Sequence, residues 1–189
     1  ANRVLFVSFM HFADSTDVVS SVSYAGQSMS RVSSVASAGG LGRGYVYMLP
    51  NPASGNNSVQ ITLSASRSVF GAASSYAGAS SSATVDASNT NTTASGTSLS
   101  ASVTTTANIT WLMSALFDFA GRTITASTNT TARSTASASG GTTVGDSNTD
   151  ETPAGSFSQA YNISGGGDAA IIVASFAPGR NVGGLIFFI

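Results

Sequence analysis

The sequence predicts an all-β protein, a two-sheet β-sandwich of the jelly-roll or immunoglobulin-like kind with about ten strands. Three observations lead there. Apolar residues recur with period two, while the 3.6-residue helical pattern is nearly absent. β-Branched and aromatic runs are separated by Gly, Pro, Asn and Ser turn signals. Ser and Thr fill 56 of 189 positions and 42% of the chain is hydrophobic, which leaves a neutral, small-residue-rich, β-prone chain.

Arg3 to Phe12 (RVLFVSFMHF) is apolar on both faces and reads as a buried central strand. Val18 to Tyr24 alternates Val with Ser, a half-exposed strand that stops at Ala25-Gly26, and Gln27 to Val32 is expected to pair back on it. Four glycines mark Ala36 to Gly44 as a loop, and Tyr45 to Leu49 is the next strand, halted by Pro50 and Pro52. Ser58 to Ser64 sets Val59, Ile61 and Leu63 on one face against Gln60 and Thr62, the cleanest amphipathic strand in the chain. Val69 to Tyr76 follows, with small residues that allow close packing.

Residues 78–97 are dominated by Ala, Ser, Thr, Asn and Gly and are expected to form a long loop. Leu99 to Thr105 and Ile109 to Phe119 then restart the core. Residues 121–143 have little to bury and read as edge strands, and Asp146 to Thr152 reads as an acidic loop. Phe157 to Ile163 and Ala169 to Phe176 close the domain. One sandwich domain is therefore expected over residues 1–180, followed by an apolar segment at 181–189. No exact repeat at a fixed period appears, which disfavours a solenoid.

Charged residues make up 8% of the chain, all cations are Arg, and there is no Cys. A net charge of −1 offers nothing to a phosphate backbone, which excludes nucleic acid as a partner. Disulfides and cysteine metal sites are excluded outright. The apolar runs are far shorter than the ~20 residues of a membrane-spanning helix, so membrane insertion is not expected. A surface solvated by hydroxyls and amides suits an extracellular setting, on a virion or a cell-surface appendage. The chain starts at Ala1 with no signal peptide in sight, as expected of a processed product or a piece of a longer one.

Several segments stand out in order: Asn2-Arg3-Val4-Leu5-Phe6-Val7, Ser21-Val22-Ser23-Tyr24-Ala25-Gly26-Gln27-Ser28-Met29, and Tyr47-Met48-Leu49-Pro50-Asn51-Pro52 with Gly55. Val59-Gln60-Ile61-Thr62-Leu63, Asp168-Ala169-Ala170-Ile171-Ile172-Val173-Ala174 and Phe176-Ala177-Pro178 complete the set. Together they resemble a β-sandwich module of phage virion proteins, such as fibre and appendage components, and of exported bacterial surface proteins. The resemblance is carried by strands and turns, so it informs fold more than activity. It implies a further strand ahead of residue 2 and a stop soon after residue 178. This chain instead continues into Val182, Leu185, Ile186, Phe187, Phe188 and Ile189. Those apolar residues are the expected subunit interface: either the segment fills a groove in the next copy by strand addition, or it folds back on its own domain.

Chemistry is sparse. The one histidine, His11, lies between Met10 and Phe12 with no acid or nucleophile nearby in sequence, and reads as structural or simply exposed. Gly145-Asp146-Ser147 has the look of an ester-hydrolase nucleophile block, but no His follows residue 11 to complete it. No catalytic residue and no cofactor are expected. Asp146, Asn148 and Asp150 place oxygens at positions one, three and five, as a Ca²⁺ loop begins. Glu151 and Phe157 stand where an EF-hand requires Gly and Glu, so only a looser Ca²⁺ site is open. Tyr24, Tyr45, Tyr47, Tyr76 and Trp111 are candidates for a glycan platform, although Trp111 in ITWLM reads as core, and Tyr45 and Tyr47 as core or interface. Of the N-x-S/T sequons at Asn56, Asn91, Asn108, Asn129 and Asn162, the exposed glycosylation candidates are Asn91 and Asn129.

The expectation is a structural subunit of an extracellular or virion assembly, partnered by copies of itself. The alternative is a carbohydrate-binding or adhesion module partnered by surface glycans. Missing charge repulsion leaves sheet edges free to approach one another, and this favours assembly over catalysis.

Overall fold

The computed structural model describes residues 2–80, 83–137, 141–146 and 153–177. Among these residues every regular element is a strand and every pairing is antiparallel. The strands in chain order are β1 (Arg3–Phe12), β2 (Val19–Tyr24), β3 (Gln27–Ser28), β4 (Ser30–Ala36), β5 (Gly42–Pro50), β6 (Val59–Leu63) and β7 (Val69–Ala77). They continue as β8 (Val85–Thr104), β9 (Trp111–Asp118), β10 (Ile124–Ala126), β11 (Thr131–Ser137), β12 (Gly141–Asp146) and β13 (Ser156–Phe176).

The first sheet has the order β4-β5-β1-β7, and the second β10-β13-β9-β12-β11 with β8 also beside β13. A small third sheet has the order β3-β2-β6. The two larger sheets face each other as the sandwich expected from the sequence. Their shared core draws Val4, Phe6, Met10, Val46 and Met48 from the first sheet and Met113, Phe117, Ile172 and Phe176 from the second. Period two explains how one strand serves two cores. The other face of β1, carrying Leu5, Val7 and Phe9, packs with Tyr45, Tyr47 and Leu49 against Val22 and Met29 beneath the third sheet. Each large apolar side chain so buried is worth roughly 1.5–3 kcal/mol, and β1 is covered along nearly its whole length.

Several expectations need correction. The loop expected at 78–97 is mostly strand, because β8 begins at Val85 and runs for 20 residues. Leu99 to Thr105 is its second half, and the two final strands expected at 157–163 and 169–176 are one 21-residue strand, β13. β8 and β13 pair over two stretches, Ser98–Thr104 with Ser156–Asn162 and Val85–Thr93 with Ala169–Phe176. The ladder is interrupted by register shifts between Asn162 and Ala169, with Gly167 alone paired there, to Gly96; Gly166 has φ +67° and a Cβ there would lie 2.7 Å from the Ser95 carbonyl oxygen. The ribbon bends at this break and folds back over the second sheet. Leu99, Ala101, Val103, Tyr161 and Ile163 from its outer half meet Leu112, Leu116, Ile171 and Val173 in a third core.

The remaining corrections are local. The Gly-rich loop is shorter than 36–44, because β5 already begins at Gly42. The hairpin arm expected at 27–32 splits into β3 and β4, which belong to different sheets. Of the strands between 121 and 143, β12 is internal, lying between β9 and β11.

Candidate functional site

His11 lies on β1 and is fully buried. Its Nε2 is 3.0 Å from the Thr16 carbonyl oxygen, to which it donates, and 3.2 Å from the Tyr45 hydroxyl. It belongs to a polar cluster where the first sheet meets the third. Phe9 stacks on Tyr45 and Tyr47 at 5.1 and 5.8 Å, and the Arg31 guanidinium stands over both tyrosine rings. Arg31 Nε donates to the Tyr47 hydroxyl at 2.8 Å, and its terminal nitrogens form an ion pair with Asp17. Burial pushes the Asp17 carboxyl up, but the hydrogen bonds from Arg31 and the Val19 N–H outweigh it and hold the group below the usual carboxylate range.

Tyr45 is wholly buried, and burial pushes its phenol up to about 12; the nearby Asp17 charge acts the same way, while the Val18 N–H and Arg43 oppose it. The fold therefore favours the neutral phenol, whereas the unfolded chain ionises near ~10. Stability from this group is whole below pH ~10 and drains as pH climbs toward 12, by roughly 2–3 kcal/mol in all. Urea denaturation across that window is expected to show the loss in the wild type and a smaller one in Tyr45→Phe. Equal slopes in both proteins would mean that Tyr45 does not govern it.

The other aromatic candidates do not form a platform. Tyr45 and Tyr47 lie in the core beneath the third sheet. Trp111 and Tyr76 each pack edge-on against Phe176, at 5.7 and 5.5 Å, and border the inter-sheet core. Tyr24 is on the far side, half-buried, donating to the Gly55 carbonyl at 3.4 Å. The rings are thus divided between two cores and share no open face.

A charge cluster invisible as a motif sits at one end of β9. Asp118 is fully buried and pairs with Arg122, whose backbone N–H also donates to it at 2.5 Å. Arg122 Nη2 reaches on to the Asp168 carbonyl at 2.7 Å. The Asp168 side chain points the other way, toward the Gly39 turn, with both oxygens buried and, among the described residues, without a hydrogen-bond partner. The Asp118-x-x-x-Arg122 spacing was the signal available in the sequence.

Asp146 ends β12, and Asn148 and Asp150 lie outside the described residues, so the Ca²⁺ loop is not described. Among the described residues no group of three or more His, Asp or Glu side chains could hold a metal ion. Val182, Leu185, Ile186, Phe187, Phe188 and Ile189 also lie outside the described residues. Asn129 is exposed in the turn joining β10 to β11, where Thr130 N–H closes on the Ser127 carbonyl.

Asn91 is exposed on β8, and there it has a structural task. Its Nδ2 donates to the Ser100 carbonyl at 2.8 Å, and Asn89 Nδ2 donates to the Ser102 carbonyl at 2.8 Å. Both amides reach from the first half of β8 to carbonyls of the folded-back half and block part of what would be an open ladder.

No family model, curated protein or solved structure matches this chain. The geometry must therefore speak through its sheet edges. β7 pairs with β1 in unbroken register from Val69 to Ala77 and, among the described residues, has no strand on its other side. It carries no charge, no Pro and no bulge, the devices that ordinarily keep an edge from pairing.

Proposed function

We propose that this protein is a structural subunit of an extracellular or virion assembly, a fibre, decoration or appendage component held together by strand contacts between copies of itself. The observation that carries the reading is the nine-residue edge of β7, which has no strand beside it among the described residues and carries no charge, Pro or bulge. An edge of that length and composition templates another strand, and a monomeric protein normally blunts it with Lys, Pro or a bulge. Here Lys is absent from the whole chain. The likeness of residues 2–178 to β-sandwich modules of phage virion and bacterial surface proteins supports the same reading, and the apolar segment 182–189 is the natural donor. A head-to-tail contact between identical subunits gives a filament unless its rotation closes a ring. The glycan-binding alternative draws no support from the aromatic side chains, since Tyr45 and Tyr47 are buried.

The test is negative-stain microscopy of the whole chain without ligand, beside a chain lacking residues 182–189. Polymers or particles are expected from the first and dispersed subunits from the second. Single subunits from the intact chain at every concentration would overturn the reading.

A further inference from the structure

We infer that residues 13–18, the link from β1 to β2, form a charge-locked strap: at neutral pH it holds the third sheet on the first, and protonation of Asp14 and Asp17 in acid releases that sheet while the sandwich stays folded.

The strap has little apolar surface to anchor it. Val18 is buried, but Ala13, Thr16 and Asp17 are exposed. It is tied instead at four consecutive residues, by side chains from four parts of the fold. Arg67, ahead of β7, pairs with Asp14 at 2.7 Å. Arg43 Nε, on β5, donates to the Ser15 carbonyl at 2.8 Å. His11 Nε2, on β1, donates to the Thr16 carbonyl at 3.0 Å. Arg31, on β4, forms the ion pair with Asp17, with Nη2 3.2 Å from Oδ1. Three of the seven arginines in a chain with only 8% charged residues thus serve one short link. Ala13 at its head has φ +117°, a region that L side chains rarely adopt, so the ties hold the link against its own backbone preference.

The third sheet depends on this link because its apolar anchorage is light. Among the side chains of β2, β3 and β6, Val22 alone is buried, and Val19, Tyr24, Val59 and Ile61 are only partly covered. An element with so few buried apolar contacts opens at a lower free energy than the central strands do. The strap runs directly into it. The Val19 N–H donates to Asp17 Oδ1 at 3.3 Å, and the Val18 carbonyl takes the Ser64 N–H at 2.8 Å, which joins the strap to the end of β6.

Acid acts on two of the four ties. Hydrogen bonds from the Thr16 side chain and N–H, against burial, and then the Arg67 charge hold the Asp14 carboxyl below its usual range. Asp17 is raised by burial but lowered further by Arg31, the Val19 N–H and the Tyr45 hydroxyl. Carboxyls lowered in the fold contribute stability that is complete above the unfolded value of ~4 and drains as pH falls below it. The other titratable groups around the strap are Arg31, Arg43, Arg67, His11, Tyr45 and Tyr47. Acid can only add positive charge to these, so three guanidiniums are left crowding a link that no longer balances them.

Site-resolved hydrogen exchange on the full chain at pH 7, 5 and 3 tests the inference, with rates expressed as protection relative to an unstructured chain at the same pH. The Ser64 and Met29 amides, bonded to the Val18 and Val22 carbonyls, report on the third sheet, and those of Ser114 to Leu116 on β9 report on the sandwich. Between pH 5 and 3 the third-sheet amides are expected to lose at least tenfold in protection relative to β9. The double variant Asp14→Asn, Asp17→Asn should show the low protection already at pH 7, and the milder Arg67→Gln an intermediate response. Loss at both sheets together would mean global acid unfolding and overturn the separate release. A loss complete between pH 7 and 5 would place the switch on His11 and overturn the carboxylates. Unchanged protection at pH 3, or full protection at pH 7 in a folded variant, would show that the charges do not hold the sheet.

Discussion

Arg122→Ala is expected to remove about 3–5 kcal/mol of folding stability, a large share of what a domain of this size possesses. The reason is what the substitution leaves behind. Asp118 is fully buried on β9, and Arg122 is both its counter-charge and, through its backbone N–H, one of its hydrogen-bond donors. Alanine keeps the N–H and deletes the charge, so an ionised carboxylate stays in a dry site, where desolvation is no longer offset. Arg122 also ties the Asp168 carbonyl, and its guanidinium rests against Gly167, where a Cβ would collide with Nη1. Chemical denaturation at neutral pH measures the loss. The double variant Asp118→Asn, Arg122→Ala should regain most of it, since the neutral amide can still accept the residue-122 N–H. A loss below about 1 kcal/mol for the single variant would show that the pair is not what makes the buried carboxylate tolerable.

Gly44→Ala is the second large effect. Gly44 lies on β5 between Met10 of β1 and Val35 of β4. A Cβ there would stand 2.5 Å from Cγ and Cε2 of Phe117, and closer still to Cδ2. Phe117 belongs to the shared core of the two large sheets and is fully buried, so its ring has nowhere to retreat. Overpacking of this kind costs ~1–3 kcal/mol, and a ring confined on every side places the variant at or above the upper end. Adding Phe117→Leu should recover part of the loss by giving back the space. If Gly44→Ala folds with unchanged stability, the sheets are not packed as closely at this point as the structure has them.

How much of this was legible in the sequence depended on whether a segment buries something. Arg3 to Phe12 and Ser58 to Ser64 announce themselves, because apolar side chains at period two record which face is covered. β8 does not. Its first half is read through Asp86, Ser88, Asn89, Thr90, Asn91 and Thr92, residues that favour turns when considered one at a time. What makes it a strand is long-range pairing with Ala169–Phe176, which no local window contains. Asp86 illustrates the same limit. Burial raises its pKa, but hydrogen bonds from the Thr106 hydroxyl, the Thr106 and Ala107 N–H groups and Ser175 outweigh that and hold it below the usual carboxylate range. Those partners lie about 20 and 89 residues away in the chain. The Gly165-Gly166-Gly167 run lies between the two strands expected at 157–163 and 169–176, and that it bends one strand in place of separating two follows from the Ser95 backbone against which Gly166 packs. As for the candidate site, His11, expected to be structural or simply exposed, is buried, and its partner Tyr45 needed the register of β1 on β5.

The division of the cores along the chain bears on how the protein comes into being. The core beneath the third sheet uses residues between 5 and 69, and the one under the folded ribbon uses residues between 87 and 173. Only the central core draws on both stretches. A ribosome therefore releases the first and third sheets complete while the layer that will cover Val4, Phe6, Val46 and Met48 is still unmade. That second layer cannot close until β13 emerges, because β8 and β9 both wait for it as a partner. Such distant pairings form slowly, and a half-finished chain displays an apolar sheet in the meantime. The nascent polypeptide is thus most prone to premature association midway through its synthesis, before its own second half can shield the first.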